Sequence, residues 1–259
     1  MPNRTAYHVS LMRGGIAIPE MLRLLRAYGA HGDWQRLRAQ VFQENLLGKM
    51  SQKNIQALLG AFRRRFLVNR CLPPALLLAR LLNAPVSERV CLQALFPYFL
   101  QGDPLAERCY RDLVLEQLAQ PEARLTVRDV VTHLQVLSRN HSELANWKEA
   151  VRERWAQSFI TLLRRFGLME RHPGDRLYRL WLEPVTFAFF WLWLWEQYSG
   201  FWEVARHTLW SLLQVDQRSL EDFLTRGNLH RWWEYQQLAG IVTFQPRFAT
   251  LEQWLDGLA

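Results

Sequence analysis

Arg63, Arg64 and Arg65 stand consecutively, and Lys49 and Lys53 precede them at a spacing of one helical turn. Guanidinium and ammonium groups gathered this closely suit one chemistry above others, the neutralisation of phosphate oxygens, and arginine adds a planar fork of donors that fits phosphate and guanine edges. A second set, Arg154, Arg164, Arg171 and Arg176, lies in a stretch that reads as a helix followed by a turn. These nine residues are the candidate nucleic-acid contacts, Lys49, Lys53, Arg63, Arg64 and Arg65 on the first segment and the other four on the second.

Residue patterns for covalent or metal chemistry are missing. Gly48-Lys49 is followed by Met50 and has no glycine five residues earlier, so it is not a phosphate loop of the Walker type. Gly14-Gly15 precedes a helix without a hydrophobic strand before it and reads as a turn. The seven histidines form no HxH or HxxxH pair, no two cysteines stand two apart, and Gly-x-Ser-x-Gly does not occur. The expectation is a protein without enzymatic activity, with no catalytic residue, no metal site, no cofactor and no small-molecule substrate.

The charge distribution supports a polyanionic partner. The first 70 residues carry 12 basic and three acidic side chains, a net +9 that exceeds the +8 of the whole 259-residue chain. Of the 32 cations, 29 are arginine, which a GC-rich coding sequence would also favour, so position counts for more than type. Cys71, Cys91 and Cys109 read as reduced, buried thiols, which suggests the cytoplasm. The apolar run Val185–Trp195 is bounded by Glu183 and Glu196 and is too short to span a bilayer, which needs about 20 apolar residues. It reads as a buried Trp-rich helix, with no membrane insertion.

Helical periodicity must position the cations. Pro19 opens a helix through Tyr28, Asp33 caps a second over 34–47, and Ser51 caps a third over 52–69, with the Gly48 link giving a helix-turn-helix-like corner within 33–69. At about 100° per residue the third helix turns Ile55, Leu58, Leu59, Phe62 and Phe66 inward and Lys53, Ala57, Gly60 and Arg64 outward, with Arg63 and Arg65 flanking the apolar stripe. A solvated helix face is the plain alternative. After Pro73-Pro74, helices follow at about 75–83, 87–100, 104–119 and 127–138.

Residues 126–182 read as helix, longer helix (147–166) and two short strands around Pro173-Gly174-Asp175, the order of a winged helix-turn-helix. This segment carries ten basic and six acidic residues, and such domains also serve as protein–protein modules. The chain then becomes acidic and helical, with a short strand over 240–245. The fold class is therefore mainly α: a multi-helical bundle with helix-turn-helix-like elements and room for one small β-hairpin wing. Composition divides it into a basic domain, 1–122, and a second domain, 123–259, that holds the winged-helix segment and the Trp-rich helix. Of the two candidate surfaces, charge favours the N-terminal one.

The constellation Tyr7-x-x-Ser10-Leu11-x-x-Gly14-Gly15, Asp33-Trp34, Glu44-Asn45-Leu46-Leu47, Ser51 and Arg63-Arg64-Arg65 resembles the BrxA family of BREX bacteriophage-exclusion systems, with a looser match through Leu163–Leu168. The resemblance implies an α-helical, cytoplasmic, non-enzymatic subunit that binds double-stranded DNA and works with other BREX proteins, which supply methylation and ATP hydrolysis. It also implies a likeness to the NusB type of RNA-binding factor. RNA binding, and a scaffold role on acidic partner proteins, stand as alternatives.

Overall fold

Capping residues and glycines set where the helices of this chain begin and end. The computed structural model describes residues 7, 9–12, 16–48, 51–68 and 71–258. In chain order, a 3-10 turn (Val9–Met12) precedes α1 (Ile18–Gly29), α2 (Trp34–Gln43) and α3 (Gln52–Phe62), which continues as a π-helical turn, Arg63–Leu67. Helices α4 (Ala75–Asn83) and α5 (Glu88–Gln101) lead to α6 (Pro104–Cys109), a second π-helical turn (Tyr110–Leu115) and α7 (Glu116–Leu118). Then come α8 (Val127–Ser138), α9 (Ser142–Ala145) and α10 (Glu149–Arg165). The remainder is α11 (Pro184–Gln197), α12 (Phe201–Ala205), α13 (Leu209–Leu212), α14 (Gln217–Leu229), strands β1 (Trp233–Leu238) and β2 (Ile241–Pro246), and α15 (Leu251–Asp256).

Ser51, Asp103, Thr126, Asp216 and Thr250 each accept a hydrogen bond from a backbone amide of the first turn they precede. The second helix is shorter than its periodicity predicts. It ends at Gln43 because Asn45 (φ +52°) and Gly48 (φ +76°) take left-handed conformations that a helix cannot continue through. The third helix departs from its α phase after Phe62, where the π turn adds a residue to the repeat. Lys49 and the Gly14-Gly15 pair lie outside the described residues.

Two compact units emerge, each assembled from separate stretches of chain. The first comprises residues 1–24, 35–69 and 98–180; the second comprises 25–34, 70–97 and 181–259. They interleave along the sequence and do not coincide with the 1–122 and 123–259 division that composition suggests.

In the first unit Phe66 packs on Phe62 at 5.2 Å and on Tyr98 at 5.4 Å, while Phe99 meets Phe166 edge-on at 5.2 Å. These rings tie the basic third helix to the end of α10. In the second unit α11 is apolar on every side, and every residue from Thr186 to Leu194 is buried. Phe187 stacks on Trp210 at 4.9 Å and on Phe223 at 4.7 Å. Gln93 of α5 closes the start of α11: its carboxamide donates to the Trp181 carbonyl (2.7 Å) and accepts from the Glu183 amide (2.8 Å) and the Thr186 hydroxyl (3.2 Å).

The one two-stranded sheet among the described residues also belongs to this unit. β1 and β2 pair antiparallel from Trp233↔Pro246 to Leu238↔Ile241, around a two-residue turn in which Ala239 (φ +47°) and Gly240 (φ +83°) are both left-handed. The expected strand at 240–245 is therefore β2. Its partner β1 falls in a stretch whose pattern suggests a helix, yet Trp233 and Tyr235 alternate inward with period two.

Candidate nucleic-acid interface

The segment from Ala123 to Tyr178 lies wholly in the first unit and is held by two backbone bridges. Arg124 bridges Arg176 and Met169 bridges Leu177, both antiparallel, so the 175–178 stretch lies between the other two. The Leu125 amide donates to the Asp175 carbonyl (2.9 Å) and the Leu177 amide to Ala123 (2.8 Å). On the other side the Glu170 amide donates to Arg176 and the Tyr178 amide to Leu168, each at 2.9 Å. The two strands expected around Pro173-Gly174-Asp175 are thus single bridges rather than a full ladder, and a third extended stretch, 123–125, joins them.

Between these stretches run α8 and α10. Thr126 and Asp129 form a reciprocal capping box at the start of α8, so the helix begins directly after the 123–125 stretch. The α9 turn is fixed to α10 by Arg152, which donates to the Leu144 carbonyl at 3.1 Å. α10 buries Trp155, Ala156, Phe159, Ile160, Leu162 and Leu163. It stops at Gly167 (φ +73°), where the Leu168 amide returns to the Leu163 carbonyl (2.9 Å) and turns the chain into the bridged loop. A Cβ at Gly174 would overlap the exposed Glu170 side chain, which would have to swing aside to make room for it.

The candidate residues separate by what they touch. Arg154 on α10 and Arg171 and Arg176 on the loop are exposed. Arg164 is half-buried and turned to the loop, with Nε donating to the Glu170 carbonyl (3.1 Å) and a terminal nitrogen donating to Gly174 (2.8 Å). Its guanidinium braces the loop instead of facing outward. A cleft of about 530 Å³ opens between α8, α10 and the loop, with Gln157, Thr161, Arg164 and His172 on its walls.

On the third helix, Lys53, Arg63 and Arg64 are exposed and Arg65 is not. Arg65 is only 3% exposed and lies over the Phe99 ring, 4.2 Å from its centroid. Burial lowers its pKa to about 10 against the opposing pull of the buried Asp103 carboxylate. This corrects the expectation of Arg65 as a nucleic-acid contact at the edge of the apolar stripe: its guanidinium turns inward over Phe99. Arg128, Arg139 and Arg165 are exposed cations outside the nine candidates. Phase alone points to Arg165, since it stands 11 residues, about three helical turns, after Arg154.

Cys91 and Cys109 are buried and Cys71 is exposed, which corrects the expectation of three buried thiols; none of the three is in a disulfide. Among the described residues, no group of three or more His, Cys, Asp or Glu is placed to hold a metal ion, and no helix is long and apolar enough to cross a membrane.

These features define a mainly α-helical protein with one small antiparallel hairpin and an arginine-bearing helix-and-loop segment. The family model for BrxA matches residues 5–191, and the chain belongs to the BrxA family, which associates it with BREX bacteriophage exclusion. No curated protein matches it. A crystal structure of an uncharacterized protein from Magnetospirillum magneticum is similar at 15% identity with a TM-score of 0.61, over 74% of this chain and 94% of that one, a likeness of fold.

Proposed function

We propose that the chain is a non-enzymatic, double-stranded-DNA-binding subunit of a BREX system, that it works beside the other BREX proteins in the cytoplasm, and that residues 123–178 are its DNA-binding module. One observation supports this reading: helix α8, turn, helix α10 and three bridged stretches in the order 124, 176, 169 follow the order expected of a winged helix-turn-helix. In that arrangement α10 enters the major groove and the 170–176 loop is the wing.

Charge on α10 is consistent with such docking. Arg154, Gln157, Ser158, Thr161 and Arg165 fall on one stripe, with the two arginines about 16 Å apart along the axis. Glu149 lies about 140° and Glu153 about 100° round the helix from Arg154, so both carboxylates are turned away from the line between the two arginines. Arg171 and Arg176 supply cations from the wing. Lys53, Arg63 and Arg64 add basic surface on a separate helix, whereas Arg65 contributes to the core.

The test is a salt titration with duplex DNA, single-stranded DNA and RNA. Replacing Arg154, Arg165, Arg171 and Arg176 by glutamine reduces the slope of log K against log salt by about 0.9 for each phosphate that is no longer neutralised. Arg65→Gln leaves that slope unchanged. Variants that match the wild type at every salt concentration would remove the module from the interface, and a preference for RNA would favour the antitermination-factor reading.

A further inference from the structure

The second unit holds a pocket that the DNA-binding reading leaves unused. It lies within residues 201–237, beyond the 5–191 stretch matched by the family model, and its volume is about 290 Å³, near the lower end of ligand pockets. Phe201 and Trp202 of α12 form a corner, their rings 5.1 Å apart at 88°, and Tyr235 of β1 lies nearly parallel to Phe201 at 13° and 6.0 Å. Asp216, whose carboxylate caps α14, and Glu221 also line the opening. Glu221 is close enough to Tyr235 to reinforce, after burial itself, the upward shift of the phenol pKa.

Aromatic faces present negative quadrupole potential, and two carboxylates at their edge deepen it. Phosphates and other anions are therefore disfavoured. One of these rings already meets a cation, because Arg206 places its guanidinium 5.5 Å from the centre of the Trp202 ring. Arg206 is itself exposed and sits at the pocket wall, so its hold on the ring can be exchanged for that of another cation.

We infer that this pocket binds an organic cation, a guanidinium or methylated ammonium group of side-chain size, in competition with Arg206. Trp202 supplies the open ring face, Phe201 and Tyr235 the remaining walls, and Glu221 the counter-charge. Small cations and cationic side chains of a protein share this chemistry, and the probes below separate them.

The full-length protein is titrated calorimetrically with an acetylated Gly-Arg-Gly amide, its neutral citrulline counterpart, a trimethyllysine peptide and free tetramethylammonium. The Trp202 indole resonance reports the site. The arginine or trimethyllysine peptide saturates the site, and citrulline binds about tenfold more weakly, the difference expected when a partly desolvated cation–π interaction and ion pair are removed. Trp202→Ala and Glu221→Gln each weaken binding by about tenfold, and both positions are open enough to solvent for the thermal midpoint to serve as a folding control. Arg206→Ala strengthens binding about threefold by removing the internal competitor, a gain that a merely structural arginine would not give. Tetramethylammonium binding as tightly as the peptides identifies a free cation as the ligand. Equal affinity for the arginine and citrulline peptides, or no saturable binding by any probe, overturns the inference and leaves the DNA reading untouched.

Discussion

Arg164 offers the sharpest separation between a residue that contacts a partner and one that shapes the surface doing so. Its guanidinium spans the loop at two carbonyls, Glu170 and Gly174, 3.1 and 2.8 Å away. A hydrogen bond from a charged donor contributes about 1.5–3 kcal/mol when buried, and the half-buried setting of Arg164 puts the pair at about 2 kcal/mol in total. Arg164→Met keeps the aliphatic stem against α10 and removes both bonds, so the open state of the loop rises about 30-fold in population. Amide hydrogen exchange reads this directly at Glu170 and Tyr178, whose N–H groups donate across the loop. Exchange there accelerates by about 30-fold, while amides in the middle of α10 are little changed. DNA affinity falls because the wing is no longer held, but the salt slope stays at the wild-type value, since every phosphate keeps its cation. Slow exchange at both amides, together with a slope reduced by about 0.9, would show that Arg164 meets phosphate and that the bracing role is wrong.

Three further outcomes follow from the packing. Gly227→Ala places a methyl group where the Trp233 ring lies, and overpacking of this kind lowers stability by about 1–3 kcal/mol in denaturant titration, with a change in tryptophan emission. Gln93→Leu removes the acceptor of the Glu183 amide and the Thr186 hydroxyl at the start of α11, while the Trp181 carbonyl keeps Arg89 as donor, and costs about 1–3 kcal/mol in the same measurement. Burial raises the thiol pKa of Cys91 and, further still, of Cys109, so at pH 8 a thiol reagent labels Cys71 rapidly and reaches the other two at a comparable rate only after unfolding.

Local signals in the sequence predict local structure well. The α4 and α8 boundaries follow from Pro73-Pro74 and Thr126, and the buried character of α11 from its uninterrupted apolar run. The errors fall where a long-range partner decides the outcome. Nothing around Arg63–Arg65 announces a π turn; Phe99, brought from a distant helix, provides the ring that receives Arg65. The loop at 170–176 is legible from Pro173-Gly174-Asp175, but its third stretch is not, because 123–125 is too short to carry a period-two pattern. β1 is obscured by tryptophans that suit a buried helix as well as a strand. The aromatic pocket brings Phe201 and Trp202 together with Glu221 and Tyr235 from separate elements, so no spacing along the chain points to it.

The interleaving of the two units has a consequence for how the protein is made. Every stretch of the first unit has left the ribosome once Leu180 is translated and extruded. The second unit begins with residues 25–34 and 70–97, yet α4 also packs against α15, where Arg80 pairs with Asp256 and Glu252. At typical elongation rates about 10–30 s pass between the synthesis of α4 and that of α15. Throughout that interval the part of α4 that meets α15 awaits its partner. The growing chain thus carries an incomplete second unit until its last helix emerges, and a product truncated after the first unit leaves the helices of 70–97 without the 181–259 stretch that completes their unit.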